Sequence, residues 1–488
     1  MDTKIINEEP FCFTVKQNTD DFYRIDTNWV NPKHKELNQL FEGLSKEKYN
    51  IVKLRQIASV KGGKRLPKGI SHLYTDYDYN PYIRGASDLN NLRIKFSKCK
   101  KISDAIYNQV KGITLEDEDI LISIAGTTAK LGFLKFDELN CKELDFNFNK
   151  IKFSENLAMI RAKDEVSVLP EYLLYYLNSH VGQFQLSRLT VGSNQGKISL
   201  KSLRNMSIPI PVNIEVQKDL IKNIKKYYKK IRENHHEEKK LIKSFDEILS
   251  NKFEIEIPEI DKVFSSYPSL EGDRIDSMYM NPSLESLIND IKSISHRQIG
   301  EIANVKKARH YEIPVMNYYG MIKIDDIDET IGEVKKIEDV NISDIPSKKL
   351  LIQEGNVYIS RINPDLGNVF YANNELGGCI TSPEMRALEI TEEEVLSKYL
   401  WLMCRSPFVI RQWECQISES SRRRIKKKVI ENTFIPWINK KEQMDLIKKC
   451  EELNTKIKKK RLKAKELEKK ARGILTKRIF DVETIESL

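Results

Sequence analysis

The sequence predicts an α+β fold: two α/β domains in tandem duplication, each followed by a long helix, the two helices pairing as an antiparallel coiled coil. Three observations predict it. The same short motifs occur twice in the same order. Each copy opens with short β-rich runs punctuated by Gly and Pro. Each copy closes on a long charged segment with an apolar heptad seam and no proline.

The motifs come in register. RIDTNWVNPKHKELNQLF (Arg24 to Phe41) is answered by RIDSMYMNPSLESLINDI (Arg274 to Ile291). LRQIASVK (Leu54 to Lys61) is answered by IGEIANVK (Ile299 to Lys306), and DILISIAGTTAKLG (Asp119 to Gly132) by NVYISRINPDLG (Asn356 to Gly367). YLLYYLNS (Tyr172 to Ser179) faces YLWLMCRS (Tyr399 to Ser406). IPVNIEVQKDLIKNI (Ile210 to Ile224) faces IPWINKKEQMDLIKKC (Ile435 to Cys450). The repeating unit is roughly 230 residues.

This divides the chain in order. Residues 1–50 form an N-terminal segment expected to pack with the helical scaffold, and 51–213 the first α/β domain. Residues 214–252 form the first long helix, and 253–295 a connection that repeats the N-terminal segment. Residues 296–438 form the second domain, 439–480 the second long helix and 481–488 a tail. One apolar helix is expected in each domain, PEYLLYYLNSHVGQFQLSRL and SKYLWLMCRSPFVIRQWECQI, with Trp401 and Trp413 as core residues. The seam of the first long helix reads Leu220, Ile224, Tyr227, Ile231, Leu241, Phe245 and Ile248. Shifted by 226, it reads Leu446, Cys450, Leu453, Ile457, Leu467, Ala471 and Ile474. A seam this regular needs a partner helix, and the other copy is the nearest candidate.

Composition narrows the function. The 488 residues carry a net charge of +10, which favours acidic partners, nucleic acid before anionic membrane. No run of apolar residues is long enough to span a bilayer, and MDTKIINEEPFCF lacks the pattern of a secretory signal. The seven cysteines have no C-x-x-C spacing and read as reduced thiols, so a cytoplasmic location is expected. No zinc-ligand spacing, H-E-x-x-H or nucleophile elbow occurs. GSNQGKIS (Gly192 to Ser199) fails as a phosphate-binding loop, because Ile198 follows the lysine where Ser or Thr is needed. YNPYIRG (Tyr79 to Gly85) lacks the second proline of a flipped-base pocket and reads as a turn. His235 and His236 fall on the charged helix and are expected in solvent. No catalytic or metal-binding set emerges. A duplicated binding module accounts for the sequence better than an enzyme does.

The layout resembles the DNA specificity subunits of type I restriction–modification systems. The resemblance rests on LRQIASVKGGK opening a domain, on GSNQGKISLKSLRNMSIPIP before Gln and a long helix, and on SESSRRRIKKKVIENTFIP before EQMDLIKK. It covers nearly all of residues 20 to 480. It implies two target-recognition domains, each reading one half of a split, asymmetric duplex DNA target. It implies paired helices that fix the unread gap and dock two methyltransferase subunits, with restriction subunits joining them. It further implies a subunit without catalysis or cofactor of its own, S-adenosylmethionine and ATP with Mg lying in the partner subunits. Two rival readings are a self-contained methyltransferase or nuclease, and a coiled-coil adaptor that reads no DNA.

Basic and hydrogen-bonding residues in loops that differ between the copies are the candidate DNA contacts, since Lys and Arg grip phosphate and Arg, Asn, Gln, Ser and Thr read base edges. In the first domain these are Lys61, Lys64, Arg65, Lys68, Arg84, Thr127, Thr128, Lys130, Ser193, Asn194, Gln195 and Lys197. In the second they are Lys306, Lys307, Arg309, His310, Arg361, Asn363, Ser420, Ser421, Arg422, Arg423, Arg424 and Lys426. At an offset of 227, Ser420 pairs with Ser193, Arg424 with Lys197 and Ile425 with Ile198. The basic run therefore has a folded counterpart. Ile425 is expected to turn inward, with the cations around it facing outward to phosphates and Arg422 or Arg424 reaching a base edge.

Overall fold

The computed structural model describes residues 33–67, 80–138, 148–192, 195–258, 282–306, 318–341, 343, 349–417 and 423–482. They form two compact units, one ending at Asn234 and resuming at Lys463, the other running from His235 to Leu462. Both boundaries fall inside the long helices, which span Ile214–Phe253 and Lys440–Phe480.

In the first unit, strand Ala58–Gly62 pairs with Leu157–Ala162, followed across the sheet by Ile120–Ser123, Leu131–Phe133, Leu92–Ile94 and Leu89–Asn90. All four residues of Ile120–Ser123 are buried, which explains why this strand reads as a continuous apolar run instead of an alternating one. A three-stranded sheet places Asn80–Ile83 between Lys152–Phe153 and Lys100–Ile102. The second unit repeats the plan. Ala303–Lys306, Met385–Ile390, Val357–Ser360 and Val369–Tyr371 form its main sheet. Tyr318–Ile322 pairs antiparallel with Glu338–Asn341 and parallel with Ile380–Thr381.

Each predicted apolar helix is two helices, Pro170–Asn178 with His180–Leu189, and Ser397–Cys404 with Pro407–Gln416. A serine makes the break. Ser179 is extended, its hydroxyl accepting from Gly182 N and donating to Tyr176 O. Ser406 does the same with Val409 N and Met403 O, and Pro407 opens the following helix where its missing N–H costs nothing. Trp413 is fully buried and Trp401 nearly so; their indole N–H groups donate to Thr433 Oγ1 and Gly332 O.

The duplication extends to single hydrogen bonds. Tyr172 donates to Pro209 O at 2.5 Å and Tyr399 to Pro436 O at 2.6 Å. Gln217 accepts from Leu169 N and donates to Ser167 O; Gln443 accepts from Leu396 N and donates to Glu394 O. This is the glutamine shared by QKDLIK and QMDLIK. Both side chains are fully buried, and each locks the start of a long helix to its own domain.

The long helices, 40 and 41 residues, pair antiparallel. Leu220, Ile224, Tyr228 and Ile231, early in the first, share a core with Ala464, Ala471, Leu475 and Ile479, late in the second. Phe245, Leu249 and Phe253, late in the first, share a core with Leu446, Cys450, Leu453 and Ile457, early in the second. The buried positions move by one from the expected seam at Tyr228, Leu249 and Leu475. A helix of 3.6 residues per turn drifts about 20° per heptad against a strict seven-residue repeat, which accounts for the shift. In the second unit Arg461 bridges Glu238 at 2.5 Å and Asp328 at 2.5 Å. His235 is not simply in solvent: its Nδ1 lies 3.2 Å from Glu238. In the first unit Phe41 of helix Lys33–Glu42 meets Phe480 edge-on at 5.2 Å. Among the described residues, no helix is long and apolar enough to cross a membrane, and Cys99, Cys379, Cys404 and Cys450 are free thiols.

Candidate nucleic-acid interface

In the first unit, strand Ile120–Ser123 ends in a tight loop. The Ser123 hydroxyl donates to Thr127 O at 2.7 Å and accepts from Lys130 N at 2.9 Å. Gly126 and Ala129 take left-handed conformations, φ 72° and 62°, so the chain reverses within a few residues. Ala125–Gly126 then pairs with Gly196–Ile198, which pairs with Thr190–Val191. This small sheet brings Thr127, Thr128, Lys130, Gln195 and Lys197 together. All are exposed except Thr128, half-buried, whose hydroxyl lies 3.2 Å from that of Thr190.

Hydrogen bonds to backbone carbonyls extend this rim. Ile124 N donates to Asn156 O, and Ser154 Oγ donates to Arg84 O. Between them Glu155 holds Arg65 at 2.5 Å, on a side chain 80% exposed. Arg84 is oriented by buried Asp88, which accepts from its N–H at 2.7 Å and its guanidinium at 3.2 Å. Lys64 is exposed, its N–H bonded to Phe153 O; Lys61 is exposed on strand Ala58–Gly62.

The second unit rebuilds the rim with other side chains. Arg361 N donates to Glu384 O, as Ile124 N does to Asn156 O; Ile425 N donates to Arg361 O, as Ile198 N does to Ile124 O. Asn363 sits left-handed, φ 47°, and its N–H bonds Arg423 O. The described part of the basic run is thus docked backbone to backbone, with Ile425 only 1% exposed. Its cations are not bare. Arg424 pairs with Glu384 at 2.6 Å, Arg361 reaches the same carboxylate at 3.5 Å, and Arg423 pairs with Asp365 at 2.7 Å. Buried Arg386 lies behind them, its guanidinium bonded to Pro383 O and Met385 O. Burial first, then Arg361, pushes its pKa down to about 10. Lys306 pairs with Glu389, while Lys426 is exposed and stands at the residue before helix Lys427–Glu431.

Spacing alone pointed to the arginines but not to Asp88, Glu155, Asp365 or Glu384, the carboxylates that hold them. The signal was present in the duplication, since Glu384 occupies the place of Asn156 and Arg386 that of Ala158. Lys68, Ser193, Asn194, Lys307, Arg309, His310, Ser420, Ser421 and Arg422 lie outside the described residues. Among the described residues no group of three or more His, Cys, Asp or Glu side chains could hold a metal ion.

This geometry defines a duplicated binding scaffold: two units of one topology whose equivalent loops present different polar side chains. Residues 46–244 match the family described as "Type I restriction modification DNA specificity domain", so the resemblance read from the sequence is borne out over that segment. A 142-residue stretch is 25% identical to the type I restriction enzyme EcoBI specificity subunit of Escherichia coli; it spans 29% of this chain and 27% of that protein's length. A crystal structure of the type I restriction-modification S subunit of M. genitalium matches over 89% of this chain and 96% of its own, at 13% identity and a TM-score of 0.38. A structure addressing complex assembly and conformational transition of the type I R-M system matches over 90% and 98%, at 18% identity and a TM-score of 0.41.

Proposed function

We propose that this chain is the non-catalytic, sequence-specific DNA-recognition subunit of a type I restriction–modification complex. The observation that carries the reading is the match of residues 46–244 to the DNA specificity domain family. Each recognition domain reads one half-site of a bipartite target. The two half-sites differ, because equivalent backbone positions carry different side chains: Ile124 against Arg361, Asn156 against Glu384, Lys197 against Arg424. Phosphate contacts from exposed lysines and from the cations of the basic run position the duplex, with Arg361 and Arg422 or Arg424 reaching base edges. The long helices set the unread gap and dock two methyltransferase subunits, which restriction subunits join. S-adenosylmethionine is held by the modification subunits and ATP with Mg by the restriction subunits. The complex acts in the cytoplasm.

The test is selection from a randomised duplex library by the chain assembled with its methyltransferase partner. Two short defined half-sites around an undefined gap are expected, with affinity falling steeply as salt rises. Binding without sequence preference or salt dependence would sink the recognition reading. Methyl transfer from S-adenosylmethionine to DNA by the lone chain would replace it with the enzyme reading.

A further inference from the structure

Within the first unit a groove of about 620 Å³ runs along the first long helix, facing helix Pro170–Asn178 and strands Leu92–Ile94 and Leu131–Phe133. The long helix lines it with Lys218, Lys222, Lys225, Lys226, Lys229 and Arg232. Positions 218, 222, 225, 229 and 232 are four and three apart, so they form one stripe along the helix. Half-buried Leu92, Phe133 and Leu169 make an apolar floor over buried Leu174, Tyr175 and Ile221. Among the described residues Glu171 is the one carboxylate in the lining, and Lys225 holds it at 2.5 Å. Lys218 is paired with Glu215 outside the groove. Lys222, Lys226 and Lys229 are exposed and have no ion-pair partner among the described residues.

The second copy is an internal control. Its equivalent groove has Tyr371 for Phe133, Trp401 for Leu174 and Lys458 for Arg232. Where the first helix has six cations, a charge of +6, the second has Met444, Lys448, Glu451, Glu452, Thr455 and Lys458, two positive and two negative for a net of zero. The same fold stands without the charge, so the fold does not require the basic stripe.

We propose that this groove docks an acidic amphipathic helix of a partner protein, once per chain. A helix of about fifteen residues spans the stripe, roughly 21 Å at 1.5 Å per residue. Asp or Glu at heptad spacing would meet the lysines, and large apolar residues one step round would cover Leu92, Phe133 and Leu169. The apolar floor favours this occupant over a DNA backbone, which gains nothing from covering it. Binding is single because only the first copy carries the stripe, whereas a subunit bound twice by the duplicated scaffold would need two equal grooves. The inference stands apart from the DNA-reading proposal.

The probe is a fluorescein-labelled eighteen-residue helical peptide with Glu along one face and Leu and Phe along the next, titrated against the full chain by fluorescence anisotropy. Saturation at one peptide per chain is expected. K222E/K226E/K229E, and the milder K222Q/K226Q/K229Q, should each weaken it at least about tenfold, as should replacing the peptide's Leu and Phe by Ser. K448E/K458E in the second copy should change nothing. An unchanged urea midpoint shows that the variants fold. Two-to-one saturation, indifference to the triple variants, or equal binding of the Ser-faced peptide would overturn the proposal. Displacement of the peptide by duplex DNA, with DNA binding lost in the same variants, would make the groove a backbone track instead. Loss of sequence preference with peptide binding intact would count against the DNA reading alone.

Discussion

Tyr172 and Tyr399 are buried residues in equivalent places, each donating its hydroxyl to the carbonyl of a Pro that follows Ile within a strand. Phenylalanine at either site leaves that carbonyl buried without its donor. Each of Tyr172→Phe and Tyr399→Phe should destabilise its own unit by about 1–3 kcal/mol, read as a lower urea midpoint, and the two costs should add within about 0.5 kcal/mol. At the second rim the charges can be tested in both directions. Arg423 and Arg424 lie beside Asp365 and Glu384, so the local field depends on both signs. R423Q/R424Q should weaken DNA binding and reduce the slope of log affinity against log salt by up to about 1.8, two phosphates at 0.9 each. E384Q removes a competing carboxylate and should raise affinity at constant salt. A weaker E384Q complex would mean that orientation of Arg361 and Arg424 outweighs charge there. The inward turn of Ile425 was legible because its counterpart Ile198 is apolar at a constant offset. The carboxylate partners were not, because Glu384 lies forty residues from Arg424 and no spacing rule links them.

Between elements, one contact repeats with its polarity reversed. Glu171 on helix Pro170–Asn178 pairs with Lys225 at 2.5 Å, and at the matching positions Lys398 pairs with Glu451 at 2.6 Å. The duplicated geometry kept an ion pair and exchanged its ends, so a recognition-domain helix set against the wrong long helix would meet like charge. Glu171→Lys should cost about 0.2–1 kcal/mol in the first unit, the usual range for pairs this exposed, and Lys225→Glu in the same chain should restore it. A double-mutant cycle on the urea midpoint measures the coupling, and a coupling of zero would reduce the pair to chance proximity. Reading these elements from sequence succeeded where a period ran long. Forty residues of seam define a helix and its need for a partner, while Ser179 and Ser406 divide helices whose apolar residues continue past the break. The second sheet of each unit was not legible. Its strands have two to five residues, and Asn80–Ile83 finds its parallel partner at Lys152–Phe153, with no local pattern to join them.

At the scale of the whole chain, the duplication was the most legible feature, because equal order along the sequence needs no knowledge of pairing. It also gives the sharpest test of the proposed spacing role. The two long helices pair antiparallel, and Glu237 and Glu238 meet Lys460 and Arg461 near the middle of both. Removing Glu233 to Lys239 together with Lys459 to Lys465 takes one heptad from each helix and returns both seams to the same face. Each helix shortens by about 10.5 Å at 1.5 Å per residue, against about 3.4 Å per base pair along a duplex strand. The selected target should then keep both half-sites and lose about three base pairs from its gap. Deleting the heptad from one helix only leaves its partner's apolar face unmatched over two turns and should cost cooperative folding. The selection that first defines the target reads both outcomes. An altered half-site around an unchanged gap would show that the helices do not set the spacing and that the recognition domains place themselves on DNA independently of them.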